Sequence, residues 1–262
     1  HPTKLDSLYV KAQCQDLYCN PSLLKSFLSQ LQNRHIRLPQ SITSLGNIHY
    51  HGAIDGRLEH LDLHGDFNTA LGAMSVNGYV EIDTTLHFFD FCGHLSTDSF
   101  YLGKMLHNDK AGSIAFHAHV DGKIESTSLT FCTAEADIQK IEYLGYVYQN
   151  IRFDGTLGEE EINGNLHIND ENIQLSIKGV ANWSELNTRL NLTAQISDFH
   201  PNAVHLTNKY PDLVISANTN IQLFTFGKKS QILDNLTGHL IIDTLHLRNG
   251  EKQATMNLLK LD

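Results

Sequence analysis

The feature that most restricts the fold of this chain is a period of two residues, sustained over about two hundred positions. In IRFDGTLGEEEINGNLHIND (151–170), Ile151, Phe153 and Leu157 share one parity, while Arg152, Asp154 and Thr156 take the other. Past the acidic bend Glu159, Glu160 and Glu161, the residues Ile162, Leu166 and Ile168 share one parity against Asn163, Asn165 and His167. Successive side chains of a strand point to opposite faces, so such a pattern describes strands with one dry and one wet face. It recurs in Val80, Ile82, Leu86 and Phe88, in Ile114, Phe116, Ala118 and Val120, and in Ile173, Leu175 and Ile177. Later it returns in Leu190, Leu192, Ala194 and Ile196, and in Leu213, Ile215, Ala217, Ile221 and Leu223. Between Leu236 and Leu247 the parity slips from Leu240 and Ile242 to Leu245 and Leu247, which predicts a bulge near Asp243 and Thr244.

Asp55-Gly56, Asn77-Gly78, Asp121-Gly122, Asp154-Gly155, Asn163-Gly164 and Asn249-Gly250 read as hairpin turns, some of them as bends within strands. Roughly fourteen to seventeen strands of about seven to ten residues fit between Ile42 and Asp262. At about 4.8 Å per strand they make a sheet some 65 to 80 Å across. A flat sheet of that size exposes its apolar face, so the expected fold is all-β: one long curved sheet bent into a trough, apolar inside and polar outside. One helix precedes it. Over residues 21–32, Asn20 suits the cap, Pro21 the first helical position, and Leu23, Leu24, Phe27, Leu28 and Leu31 form an apolar stripe that packs on the end of the sheet. The expected division is an N-terminal segment, 1–41, followed by a continuous trough, 42–262.

A net charge of −10 without basic patches excludes nucleic acid as a partner. No apolar run reaches the roughly 18 residues of a membrane span. The opening HPTKLDSLYV and the closing MNLLKLD read as an interior section of a longer protein. The sequence contains no G-x-S-x-G, phosphate loop or His-Glu-x-x-His, and no catalytic residue or cofactor is assigned. Cys14, Cys19, Cys92 and Cys132 lack metal-type spacing and read as free thiols, a Cys14–Cys19 bridge being the best exception. Of the sixteen histidines, His49 with His51 and His117 with His119 could each chelate a metal from one strand face, yet no third ligand accompanies them. His117 and His119 fall on the polar parity, and a plain or pH-responsive polar surface is the simpler reading.

Four segments, FCGHLSTDSFYLGKML (91–106), IEYLGYVYQNIRFDGTL (141–157), INGNLHINDENIQLSIKGVANW (162–183) and NLTGHLIIDTLHLRNG (235–250), resemble in order the TamB family of translocation and assembly module proteins, particularly its Bacteroidota-type versions, within the AsmA-like superfamily. The resemblance covers about residues 38–262. It implies a non-enzymatic segment of a periplasmic protein anchored in the inner membrane of a Gram-negative bacterium. The parent protein would reach a TamA-like outer-membrane barrel partner through parts outside this chain. It also implies a hydrophobic groove for phospholipid acyl chains moving between the two membranes. The corresponding lining would be Val80, Ile82, Leu86, Phe88, Ile114, Phe116, Val120, Ile151, Phe153, Leu166, Ile168, Ile173, Leu175, Ile177, Leu190, Leu192, Ile196, Leu213, Ile215, Ile221 and Leu223. The alternative is a chaperone segment that binds outer-membrane protein strands by β-augmentation.

Overall fold

The computed structural model describes residues 9–31, 35, 38, 40–57, 59–83, 88–125, 128–184, 187–226 and 236–261. The chain is all-β, with three short helices among the described residues, and its fourteen described strands follow one another in chain order in a single sheet. It divides into two compact units, His1–Glu142 and Tyr143–Asp262.

The first unit holds β1 (Tyr9–Cys19), α1 (Pro21–Leu31), α2 (Gln40–Thr43), β2 (Ile48–Arg57), β3 (His60–Thr69), β4 (Gly72–Asp83), β5 (Phe88–Tyr101), α3 (Leu102–Leu106), β6 (Ala111–Glu125) and β7, which begins at Ser128. Helix α1 starts as its sequence dictates: Asn20 Oδ1 accepts the Leu23 amide at 2.9 Å, satisfying one orphan donor of the first turn. Its packing differs from expectation, because Leu23 and Phe27 are half exposed. The end of the sheet is instead closed by the α2 and α3 segments. Leu45, Leu102 and Met105 pack with Met74 and Phe116 around the buried trio Leu71, Phe100 and Ile114. Two backbone bonds fix this cap, Ala70 N–H to Leu45 O at 2.9 Å and Tyr101 N–H to Leu71 O at 2.8 Å.

The second unit holds β8 (Tyr146–Leu157), β9 (Glu161–Asp170), β10 (Ile173–Trp183), β11 (Asn187–Phe199), β12 (Leu213–Phe226), β13 (Leu236–Asn249) and β14 (Lys252–Leu261), all paired antiparallel with their chain neighbours. The slip expected near Asp243 is present. Asn218 pairs with Thr244 and Thr219 with Ile242, so Asp243 is the extra residue of a bulge. The loop between β11 and β12 folds back over the turn end, with His200 N–H donating to Asn172 O at 2.9 Å and Val204 wholly buried.

Two features depart from the sequence reading. Strands begin at Tyr9 rather than after Ile42, and thirteen described strands, of 10 to 16 residues, occupy the later span. They are longer because Gly56, Gly78, Gly122, Gly155 and Gly164 lie inside strands, while Asn249-Gly250 alone of the six dipeptides forms a hairpin turn.

Candidate functional site

In the second unit the register stacks the apolar parity of every strand onto one face. Ile151 opposes Ile168 and Phe153 opposes Leu166; Ile168 then opposes Leu175, and Leu166 opposes Ile177. Leu175 continues to Ile196, Leu190 to Leu223, and Leu192 to Ile221. After the irregularity between Ile196 and Phe199, Ile215 pairs with Phe199 and Leu213 lies two residues before it on the same parity. The face runs on through Leu240, Ile242, Leu245 and Leu247, which the expected groove omitted. Ile173, opposite Asp170, holds its turn end. Ile151 and Ile173 are buried, whereas Phe153, Leu166, Ile168, Leu175, Ile177, Leu190, Leu192, Ile196, Leu213, Ile215, Ile221 and Leu223 are all only half buried. Adjacent side chains shield one another, and no second layer of described residues covers them.

The first unit repeats the arrangement. Val80 lies between Leu61 and Phe91, Ile82 opposes Phe89, Val120 opposes Gly93, and Phe116 opposes Thr97. Ile114, paired with Phe100, is part of the buried cap. Phe88 requires a correction: it registers with Asp83 and Glu125, positions of the polar parity. Even-numbered residues of β4 oppose odd-numbered residues of β5, so Phe89 and Phe91 carry the apolar parity instead. The alternation Phe89-Asp90-Phe91 was the available signal, masked by the adjoining Phe88. Leu86 lies outside the described residues.

Glycines mark where these faces bend. Gly155, Gly164 and Gly179 oppose one another on three consecutive strands and share the apolar parity. A Cβ at any of them would come under 3.0 Å from a carbonyl oxygen of a neighbouring strand. The neighbouring backbone therefore leans toward the apolar side, and the row is a crease that is concave on that side. Gly52 and Gly65 form the corresponding pair between β2 and β3.

The opposite faces are polar. His94 and His119 pair directly with ring centroids 4.7 Å apart, and His117 opposes Ser96. His49 Nδ1 lies 2.8 Å from Asp16 Oδ1, and His51 Nδ1 lies 2.8 Å from Gln15 O. Among the described residues no group of three or more His, Cys, Asp or Glu is placed to hold a metal. His60 sits between Glu81 and Asp62, and its hydrogen bond to Glu81 raises its pKa above the ordinary value of 6.5. The four cysteines are free, and burial pushes the Cys132 thiol upward. No described helix is long and apolar enough to cross a membrane.

At the turn end of the second unit, Asp170 gathers three donors. Tyr146 Oη and the Asn172 amide donate to Oδ1 at 2.5 and 2.9 Å, and the Gln149 amide donates to Oδ2 at 2.9 Å. This network joins β8 to the β9–β10 turn and anchors the end of the apolar face. Its members come from separated positions, which leaves no local sequence signal. Comparison with protein-family models, curated proteins and solved structures finds no match to this chain.

Proposed function

We propose that this chain is a non-enzymatic, lipid-handling section of a TamB- or AsmA-like cell-envelope protein, whose apolar sheet faces receive phospholipid acyl chains during transport between inner and outer membranes. The observation that carries this reading is the aligned, half-buried apolar face of the second unit, Phe153 and Leu175 at its middle, with no covering layer among the described residues. A sheet in water ordinarily buries such a surface, and a large uncovered one marks a binding surface. Acyl chains fit the chemistry. Their exposure to water costs about 0.8 kcal/mol per methylene, or roughly 12 kcal/mol for sixteen carbons, and a dry face offsets most of that cost. Passage along a surface also calls for weak, repeated contacts, which leucine and isoleucine side chains provide. In this reading the segment works in the periplasm and the barrel partner meets other parts of the parent protein.

The test is photo-crosslinking from single cysteines in the presence of phospholipid, followed by mass spectrometry. Probes at Phe153, Leu175 and Leu192 capture lipid, whereas probes at Asp154, Gln174 and Asn191 on the polar face do not. Equal capture from both sets overturns the reading, and capture of polypeptide in place of lipid favours strand binding.

A further inference from the structure

On the polar side of the first unit, His94 of β5 stands directly opposite His119 of β6, with ring centroids 4.7 Å apart. Both side chains are exposed, so burial does not force the rings together. Both strands are interior to the sheet, β5 between β4 and β6, and β6 between β5 and β7. The two backbones are therefore held at this spacing without help from a loop.

The pair differs from other polar-face histidines in its hydrogen bonding. His60, His64, His167 and His246 each turn Nδ1 onto a side chain of the next strand, namely Glu81, Asn77, Ser176 and Thr255, at 2.6 to 3.0 Å. Asn77, which faces His94 from β4, is taken up by His64 in this way. Among the described residues, no hydrogen bond or ion pair engages the ring nitrogens of His94 or His119. Two imidazoles with uncommitted nitrogens, side by side on a rigid frame, can share a metal ion. The ion in such a site lies about 2.0–2.1 Å from each coordinating nitrogen and so about 3.2 Å from each ring centroid, which puts the centroids about 4.5–5.2 Å apart for bond angles of about 90–110°. The observed 4.7 Å falls within that interval. The surroundings suit a cation: the flanking rungs of the same face pair Cys92 with Asp121 and Ser96 with His117, which brings a carboxylate and no lysine or arginine.

We propose that His94 and His119 together bind one divalent transition metal ion of the kind that favours imidazole, Zn²⁺, Ni²⁺ or Cu²⁺, and so bridge β5 and β6. Water completes the coordination, because no third His, Cys, Asp or Glu among the described residues converges on the pair. The site is independent of the acyl-chain reading, since it lies on the polar rather than the apolar face.

The experiment is calorimetric titration of the full, untagged chain with Zn²⁺ at neutral pH. One equivalent binds at least about tenfold more tightly than any further zinc, and acidification weakens it, because protons compete for the same nitrogens. Mg²⁺, which prefers oxygen ligands, does not displace it. His94→Asn and His119→Asn each lower the affinity by about tenfold or more, since either leaves a single imidazole. His246→Asn, and His117→Asn on the adjoining rung, leave it within about twofold. Zinc raises the melting temperature of the natural protein and not that of His94→Asn, while the metal-free melting temperatures of the two agree. Phe153→Asp, which tests the sheet face, leaves zinc binding unchanged, so the two readings fail separately. Absence of zinc binding, full affinity in the His94→Asn and His119→Asn double variant, or an equal loss in His117→Asn and His94→Asn each overturns the proposal.

Discussion

Asp170 retains only 6% of its surface exposed and uses both carboxylate oxygens on donors from β8 and the β9–β10 turn. Truncating it to alanine strands the Gln149 and Asn172 amides, each of which costs about 1–3 kcal/mol when left without a partner. Asp170→Ala is therefore expected to lower stability by about 2–4 kcal/mol in urea unfolding, and Tyr146→Phe by about 1 kcal/mol. The Tyr146 phenol is pushed above its ordinary value of 10.0, first by burial and further by the Asp170 bond. Because the folded state holds this proton more tightly, the associated stability is complete below that ordinary value and is lost as pH rises through the raised one. Tyr146→Phe removes that part of the alkaline decline, as urea midpoints across the range will show. His60 behaves in the same direction at lower pH: its titration midpoint by NMR falls in Glu81→Gln, because the bond that favours the charged ring is gone. An unchanged midpoint would mean that Glu81 does not hold the imidazolium.

At the scale of elements, the strands were legible where the period of two is unbroken and obscure where a bulge interrupts it. β8 from Ile151 and β9 from Asn163 follow the alternation residue by residue, whereas Asn150, at φ +53°, shifts the more buried parity of β8 from Tyr146 and Tyr148 to Ile151. β1 did not stand out, because the register shifts between Cys14 and Leu17 and moves the apolar residues from even to odd positions. The slip at Asp243 was readable for the opposite reason: long, clean runs flank it. The aspartyl-glycine and asparaginyl-glycine pairs were ambiguous, since the residues that suit a tight turn also suit a crease. Substitution separates the two uses. Gly164→Ala places a Cβ against the Asp154 carbonyl oxygen, in backbone that can yield only by moving a strand, and should cost about 1–3 kcal/mol. Gly250, at φ +60° in the β13–β14 turn, has open space for 4 Å around the place a Cβ would occupy, so Gly250→Ala should cost about 1–2 kcal/mol through backbone strain alone. Gly250→Asn tests this further, because asparagine tolerates that conformation; its loss should be smaller than alanine's, while Gly164→Asn should be worse than Gly164→Ala.

Across the molecule, polar and apolar parities divide the labour: the charge of −10 lies largely outside the apolar parity, with Asp170 at the turn end of the second unit's face as an exception. The charged face then keeps an uncovered apolar surface compatible with water, and a charge placed on that surface becomes a direct probe of its use. Phe153 is half buried and opposes Leu166, with Leu157 and Ile151 along its own strand. In Phe153→Asp the carboxylate retains access to water, so its desolvation costs less than the several kcal/mol of full burial, and the fold should persist. An acyl chain lying against the same face has no such escape, because it would have to cross a hydrated anion. Phe153→Asp should therefore abolish lipid capture from a photo-crosslinker at Leu175 while the circular dichroism spectrum is retained. The matched polar-face change, His167→Asp, adds the same charge beside Arg152 and Ser176 and should leave capture at the unaltered level. If well-folded Phe153→Asp protein captures lipid as fully as His167→Asp, acyl chains do not travel along this face.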